Sequence, residues 1–309
     1  MKILVAVDES EYSQSVVEAI ATRAYPTDSS FRVLHVMEPF DPIEPAPLAS
    51  SNQWALWVNS VKREKQAVAQ VLVSSAAKHI TDRFPQADVS TDVFEGYIVD
   101  KIVVDVAETW QADLIVVGSQ GKRGFQRLLL GSVSNAILLH APCSVEIVKR
   151  QDTGGSGTNG VSLKHILLCL DDSIFSDAAL RFVQSQQWAD DVCFKLVTVL
   201  KPLFELYGFE MSGLSGLNIL EEQEKAISTC KSDTGEKAQK LIEKFGSKKV
   251  SVEVLIGDAR EMILKAAADW PAHMIVMGSH SRQGLSKYLL GSVSQAVVMH
   301  APCSVAVVK

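Results

Sequence analysis

Short apolar runs alternate with amphipathic stretches along the whole chain. Ile3–Val7 is a run of five apolar residues ending at Asp8. That is the pattern of a parallel strand buried on both faces. From Ser13 to Ala24 the apolar positions Val16, Val17, Ile20 and Ala21 share one face at helical spacing. Phe31–Met37 reads as a second strand, followed by a loop carrying Pro39, Pro42, Pro45 and Pro47. The spacing then predicts a long helix from about Asn52 to Arg83. Its expected core-facing stripe is Trp54, Trp57, Val58, Val61, Val68 and Leu72. Val89–Phe94 is a third strand, Ile98–Trp110 a helix, and Asp113–Gly118 a fourth strand. Gly131–His140 is a short helix and Cys143–Val148 a fifth strand. Five strands alternating with helices imply a parallel sheet covered on both faces.

The pattern then repeats from Lys164 to Val308. Leu129-Leu130-Gly131-Ser132-Val133-Ser134 recurs as Leu289-Leu290-Gly291-Ser292-Val293-Ser294. His140-Ala141-Pro142-Cys143-Ser144-Val145 recurs as His300-Ala301-Pro302-Cys303-Ser304-Val305, and both motifs are displaced by 160 positions. The opening strands, Ile3 to Asp8 and Ile166 to Asp171, are displaced by 163, so a net three residues are lost inside the second copy. Copies of about 150 residues are whole domains rather than solenoid units. The expected domains are residues 1–150 and 163–309. The Gly/Ser/Thr/Asn-rich residues 151–162 read as a flexible linker.

Composition narrows the function classes. The chain has 309 residues, 47% of them hydrophobic and 21% charged, which excludes a disordered or fibrous protein. No apolar run approaches the roughly 20 residues a membrane-spanning helix needs, so no membrane partner is expected. The net charge of −6 argues against a general nucleic-acid binder, whose affinity rests on neutralising phosphates. The first eight residues lack the longer apolar stretch of a secretory signal, so the expected location is cytoplasmic. The five cysteines are odd in number and lack a CxxC, suggesting buried structural thiols rather than disulfides or zinc.

The candidate chemistry lies after the fourth strand. Gly118-Ser119-Gln120-Gly121-Lys122-Arg123-Gly124 is a glycine-rich, basic turn, and Gly131-Ser132-Val133-Ser134 opens a helix. Gly118 and Gly121 allow close backbone approach and positive φ. A helix N-terminus presents unpaired N–H groups and the positive end of its dipole. Ser132 and Ser134 could donate or cap, and Lys122, Arg123 and Arg127 could neutralise phosphate charge. The same residues would equally serve as a tight turn, an N-cap and a solvated basic loop. Neither GxxxxGK[ST] nor GxGxxG is present.

The spacing Gly118-x2-Gly121-x9-Gly131-Ser132 resembles the GxxGx9G[S/T] signature of the universal stress protein superfamily, specifically of its ATP-binding members. The strand into Asp8 and the closing Ala-Pro-Cys-Ser-Val strand are similar too, and the likeness covers the chain twice. The resemblance implies two open, Rossmann-like α/β domains in tandem, each a five-stranded parallel sheet of order 3-2-1-4-5. Strands 1 and 4 would then be neighbours at a topological switch point, where ligands of such sheets bind. It also implies ATP, with Mg²⁺, as the ligand. Asp8 and the backbone near Val36 match positions facing the adenosine. Gly118 and Gly121, with Val117 beside them, match those contacting ribose and phosphates. Gly131, Ser132 and Val133 match the helix end that holds the phosphate tail.

The second copy departs from the signature. Asp171, Val199, Gly278, Gly291, Ser292 and Val293 keep their places, but Ser281 stands where the signature has its second glycine. If that position needs positive φ, a non-glycine residue costs on the order of 1–2 kcal/mol. Arg282, Lys287 and His280 lie nearby. The second copy also carries an apolar loop, Leu203–Met211, which could cap a pocket, meet a partner, or fold onto its own domain.

The functional expectation is a stress-response nucleotide sensor. The alternatives are an interaction protein of the same fold and, at most, a slow ATPase. Phosphoryl transfer needs a metal carboxylate and a group that orients the nucleophile, and Asp8 is the only obvious acid at the crevice. His35, His140 and His300 read as structural. Tandem relatives pair their domains through the last strands, which here implies an intramolecular pseudo-dimer through Cys143–Val148 and Cys303–Val308. A higher homo-oligomer is left open.

Overall fold

A computed structural model describes residues 1–23, 25–42, 52–121, 130–150, 163–203, 216–280 and 290–309. The first half contains β1 (Lys2–Ala6), α1 (Glu11–Ala21), β2 (Ser30–Met37), α2 (Asn52–Arg83), β3 (Asp88–Glu95), α3 (Val99–Trp110), β4 (Leu114–Gly118), α4 (Ser132–His140) and β5 (Ser144–Val148). The second contains β6 (His165–Cys169), α5 (Ile174–Ser185), β7 (Cys193–Leu200), α6 (Gly216–Phe245), β8 (Val250–Ile256), α7 (Ala259–Asp269), β9 (Met274–Gly278), α8 (Ser292–His300) and β10 (Ser304–Val308). The alternation read from the sequence is therefore present twice.

Within each half the strands are parallel, in the order 3-2-1-4-5. The halves are not separate sheets. β5 pairs antiparallel with β10, which makes one ten-stranded sheet of order β3-β2-β1-β4-β5-β10-β9-β6-β7-β8. Because that one pairing is antiparallel, the strands of the two halves run in opposite directions. Their carboxyl ends lie at opposite margins of the sheet.

Alternate residues of each strand face opposite layers, as the twofold strand period requires. On one face, Leu4, Ile115 and Val145 join Val103, Ala107, Ile137 and Leu138 of α3 and α4. The same cluster continues through Ile275, Val305 and the residues of α7 and α8. One core layer therefore spans both halves. On the other face each half has its own cluster: α1 and α2 over Ile3 and Val5, and α5 and α6 over Ile166 and Leu168. Phe182 packs against both.

The stripe expected on α2 is corrected. The buried residues of this helix are Ala69, Val73, Ala76 and Ile80, all in its C-terminal half. Trp57 is 47% exposed and Val68 49%. The reason is length. A 32-residue helix is about 48 Å long, whereas the eight-residue strands beneath it span about 27 Å. The first turns overhang the sheet, where Trp57 packs on Trp54 and Phe40 instead (ring centroids 4.9 and 5.7 Å).

Two lysines cross the junction reciprocally. Lys149, just after β5, donates Nζ–H to Ala301 O (2.7 Å) and Met299 O (3.4 Å) at the C-terminus of α8. Lys309, just after β10, donates to Ala141 O (2.5 Å) and Leu138 O (3.5 Å) at the C-terminus of α4. Each places an ammonium where a helix presents unpaired carbonyls and its negative end. The K149M/K309M double variant is expected to lose about 2 kcal/mol of unfolding free energy. Urea denaturation checks this, and an unchanged midpoint would contradict it.

Candidate functional site

The strand order reverses between β1 and β4, so their carboxyl ends flank a crevice. Asp8 lies two residues past β1. Its Oδ1 accepts hydrogen bonds from Ser10 N (2.9 Å), the Ser10 hydroxyl and the Ser13 hydroxyl (2.8 Å). Ser13 Oγ in turn accepts from Asp8 N (2.6 Å). The carboxylate is thereby tied to the start of α1. Its Oδ2 reaches Gly121, where an added Cβ would lie only 2.7 Å away. The fold sets Asp8 and Gly121, more than a hundred positions apart, so close that an added Cβ would meet the carboxylate.

Gly118 closes β4. Its carbonyl accepts from Ser134 Oγ (2.6 Å), and an added Cβ would lie 2.9 Å from Tyr12 Cβ. Ser119 N donates to Val148 O (2.8 Å), and Gly131 N donates to Ser119 O (2.7 Å). The chain thus leaves β4 and returns to α4 at a single point. Gly131 is the N-cap of α4, with φ −61° and ψ 149°, and as glycine it supplies no side-chain cap. A Cβ on Gly131 would sit 3.4 Å from Gln120 Cα and from Ser119 O. Ser132 is exposed and Val133 half-buried. Val36 and Val117 are buried in the shared core layer, so only their backbone can face the crevice.

Three expectations change. Gly118 and Gly121 do not use positive φ; among the described residues only Gly246 and Gly257 are glycines that do. The conditional argument from positive φ therefore does not apply at Gly121, and Ser281 itself lies outside the described residues. At Gly118 lack of space calls for glycine, since a Cβ would meet Tyr12 Cβ, whereas at Gly121 a Cβ would meet only the end of the Asp8 side chain. Ser134 neither caps α4 nor donates to the crevice, because its hydroxyl bonds Gly118 O. Lys122, Arg123, Arg127, Ser281, Arg282, Lys287 and residues 204–211 of the apolar loop lie outside the described residues.

Sequence reading missed Tyr12 and Gln120. Tyr12 donates Oη–H to the buried Gln120 Oε1 at 2.9 Å, joining α1 to the turn after β4. The repeat held the signal: Tyr12 aligns with Phe175 and Gln120 with His280, both changes of type. In the second half Asp171 Oδ1 accepts from Ser173 N (2.9 Å) and Ser173 Oγ (2.6 Å). Ser294 Oγ donates to Gly278 O (2.8 Å), and Gly291 caps α8. Phe175 and His280 have no hydrogen bond to each other; their rings pack at 5.1 Å. His280 is buried, its Nδ1 lies 3.1 Å from Ser279 Oγ, and among the described residues its Nε2 has no partner. Burial and the nearby Lys309 charge lower its pKa below the ordinary histidine value. Val199 is half-buried against the shared core layer, Ser292 is exposed and Val293 half-buried.

Among the described residues no group of three or more His, Cys, Asp or Glu side chains could hold a metal ion. No helix among them is long and apolar enough to cross a membrane.

Comparison with known proteins adds a family. The sequence profile of the universal stress protein family matches residues 1–149 and again 162–309. A universal stress protein of Mycobacterium tuberculosis is 27% identical over 301 residues, covering 97% of this chain and 93% of the relative. A universal stress protein A homologue of Coxiella burnetii is 34% identical over 146 residues, covering 46% of this chain and 92% of the relative. Among solved structures, a universal stress protein of Archaeoglobus fulgidus aligns with a TM-score of 0.59 at 21% identity. That alignment covers 100% of this chain and 96% of the other, and it is a likeness of fold.

Two outcomes follow from the packing. Gly278→Ala would set a methyl 2.7 Å from the Phe175 carbonyl carbon. It is expected to lower the unfolding free energy by about 1–3 kcal/mol, measured by chemical denaturation. His280 titrates lower when folded than when unfolded. Its contribution is therefore complete above the unfolded value of about 6.5 and is lost as pH falls through the folded value. Thermal melts of H280Q should match wild type in relative order at pH 8 and lose less stability than wild type on acidification to pH 5. Parallel acid losses would refute the assignment.

Proposed function

This chain belongs to the universal stress protein family, and from that premise we propose that it is an ATP-binding regulator of the stress response. The observation that carries this reading is the start of α4. A nine-residue helix begins at a glycine, which supplies no side-chain cap, and it opens beside Gly118–Gly121 at the β1/β4 switch point. Uncapped N–H groups and the positive dipole end suit a phosphate chain, and Gly131 leaves the backbone accessible. In this reading Ser132 and Val133 supply N–H groups to the phosphate tail. Gly118 and Gly121 admit ribose and phosphates to the backbone. Asp8 and the main chain near Val36 flank the adenosine. Lys122 and Arg123 neutralise charge. Mg²⁺ would travel with the phosphates, as it commonly does, and Asp8 is the carboxylate beside Gly121 at this crevice.

The second half is read as a weaker or empty site at Asp171, Val199, Gly278, Ser281, Gly291, Ser292 and Val293. The β5–β10 junction is read as the intramolecular counterpart of a homodimer contact, in a cytoplasmic protein. No catalytic role is assigned to any residue; turnover, if present, is at most slow. The overhanging apolar turns of α2, with Leu56 and Trp57 exposed, favour a second reading as an interaction protein of the same fold.

Isothermal titration with ATP–Mg²⁺ tests the reading. One equivalent is expected, with Gly131→Asp weakening affinity by at least ~10-fold, or about 1.4 kcal/mol. Two equivalents would mean that Ser281 is tolerated. No heat from a folded sample, as judged by its melt, would overturn the nucleotide reading in favour of the interaction protein.

A further inference from the structure

The antiparallel register sets Val305 opposite Ile147, Ala306 opposite Glu146 and Val307 opposite Val145. Residues 146 and 306 are also the equivalent positions of the two repeats, 160 apart. The pseudo-twofold axis therefore passes through this one pair. Everywhere else an unlike position faces an unlike position; here each half meets its own counterpart.

The two halves differ sharply at that point. Glu146 is fully buried, between Ser144 and Val148 on one face of β5, and it pairs with Arg23, which follows α1 and is 7% exposed. Tyr25 lies beside them, also buried. At the repeat offset of 163, the second half has Gln186 for Arg23 and Trp188 for Tyr25; at 160 it has Ala306 for Glu146. Gln186 is buried, and Ala306 is 1% exposed within the apolar cluster of the second half. The charged set of one half and the neutral set of the other meet around a cavity of about 10 Å³, lined by Arg23, Tyr25, Glu146, Gln186, Trp188 and Met274 among others. That is room for about one water. Arg23 and Tyr25 interact with each other as well as with Glu146, and among the described residues Glu146 Oε1 and Arg23 Nε are buried without a hydrogen-bond partner.

We propose that Glu146, held by Arg23 on the pseudo-twofold axis, makes the edge of the first half complementary to the second half and not to another copy of itself. Direct cross-strand neighbours in such a pair stand about 5 Å apart. Two first halves joined through β5 would bring two buried carboxylates and two arginines into one layer with space for about one water. Overpacking and like charge both oppose that arrangement. Ala306 removes both conflicts, since a methyl group faces the carboxylate and Gln186 and Trp188 fill the remaining volume. The partner that fits the β5 edge is a strand with a small apolar residue on the axis, and within this chain that strand is β10. The axis residue thus selects which edges of this protein associate, where a symmetric pair would allow any two halves of any two chains to join.

Two full-length variants test this. In Q186R/W188Y/A306E the second half receives the charged set of the first, so identical sets meet on the axis. In R23Q/Y25W/E146A/Q186R/W188Y/A306E the same second-half changes are combined with the neutral set in the first half, which transplants the charge across the axis. The duplicated variant is expected to melt at least about 5 °C below the transplanted one. The transplanted variant should keep the wild-type sedimentation coefficient. Equal melting temperatures would overturn the proposal, because self-pairing would then carry no penalty. Failure of the transplanted variant to fold would overturn it too, because complementarity alone would then not determine the junction.

Discussion

The pairing of β5 with β10 is the contact on which the rest of the molecule depends. Each half, taken alone, is an open sheet whose last strand would be an exposed edge, with unpaired N–H and C=O groups. Every residue of both strands is instead buried. One antiparallel ladder removes both edges and lets a single apolar layer run beneath α3, α4, α7 and α8. The lysines that follow these strands then reach the carbonyl ends of α4 and α8 in the opposite half. The ladder, the shared layer and the lysine contacts all meet at these two strands.

The antiparallel sense of that ladder also decides where chemistry can occur. Ligands of open α/β sheets bind beyond the carboxyl ends of the strands. With the two halves running in opposite directions, the two crevices open at opposite margins of one sheet. They cannot share a ligand, yet α4 and α8, whose N-termini border the crevices, rest on the same core layer. Each crevice is built by close approach rather than by unusual backbone conformation. Gly118 and Gly278 lie against the first turn of the helix after the opening strand, and Gly121 lies against Asp8. A side chain at Gly118 or Gly278 would push the start of that helix away from β4 or β9.

The repeat has diverged at the places where the structure concentrates polar groups. Tyr12 and Gln120 share a hydrogen bond, while Phe175 and His280 share a ring contact. Glu146 is charged where Ala306 is a methyl group. The apolar strand positions, by contrast, remain apolar in both copies, because both faces of a parallel sheet must be buried in either half. Two copies of one fold can therefore differ in ligand chemistry and in edge chemistry without any change in topology.

The alternation of strands and helices, the two copies and the glycine spacing after the fourth strand were legible from the chain alone. Each is written in a local period or a repeated word: continuous apolar runs for strands, a 3.6-residue period for helices, an offset of 160 for the repeat. The strand order in each half followed only from resemblance, since no local pattern states which strands are neighbours. What the tertiary structure decided concerns groups far apart in the chain. The buried stripe of α2 shifted to Ala69–Ile80 because the strands beneath it are shorter than the helix. Gly121 lies where an added Cβ would meet the Asp8 carboxylate. Glu146 has meaning only because the register of β10 places it on an axis opposite Ala306. Periodicity is a property of neighbouring residues and can be read along the chain. Clearance, register and charge pairing are properties of surfaces that meet only after folding.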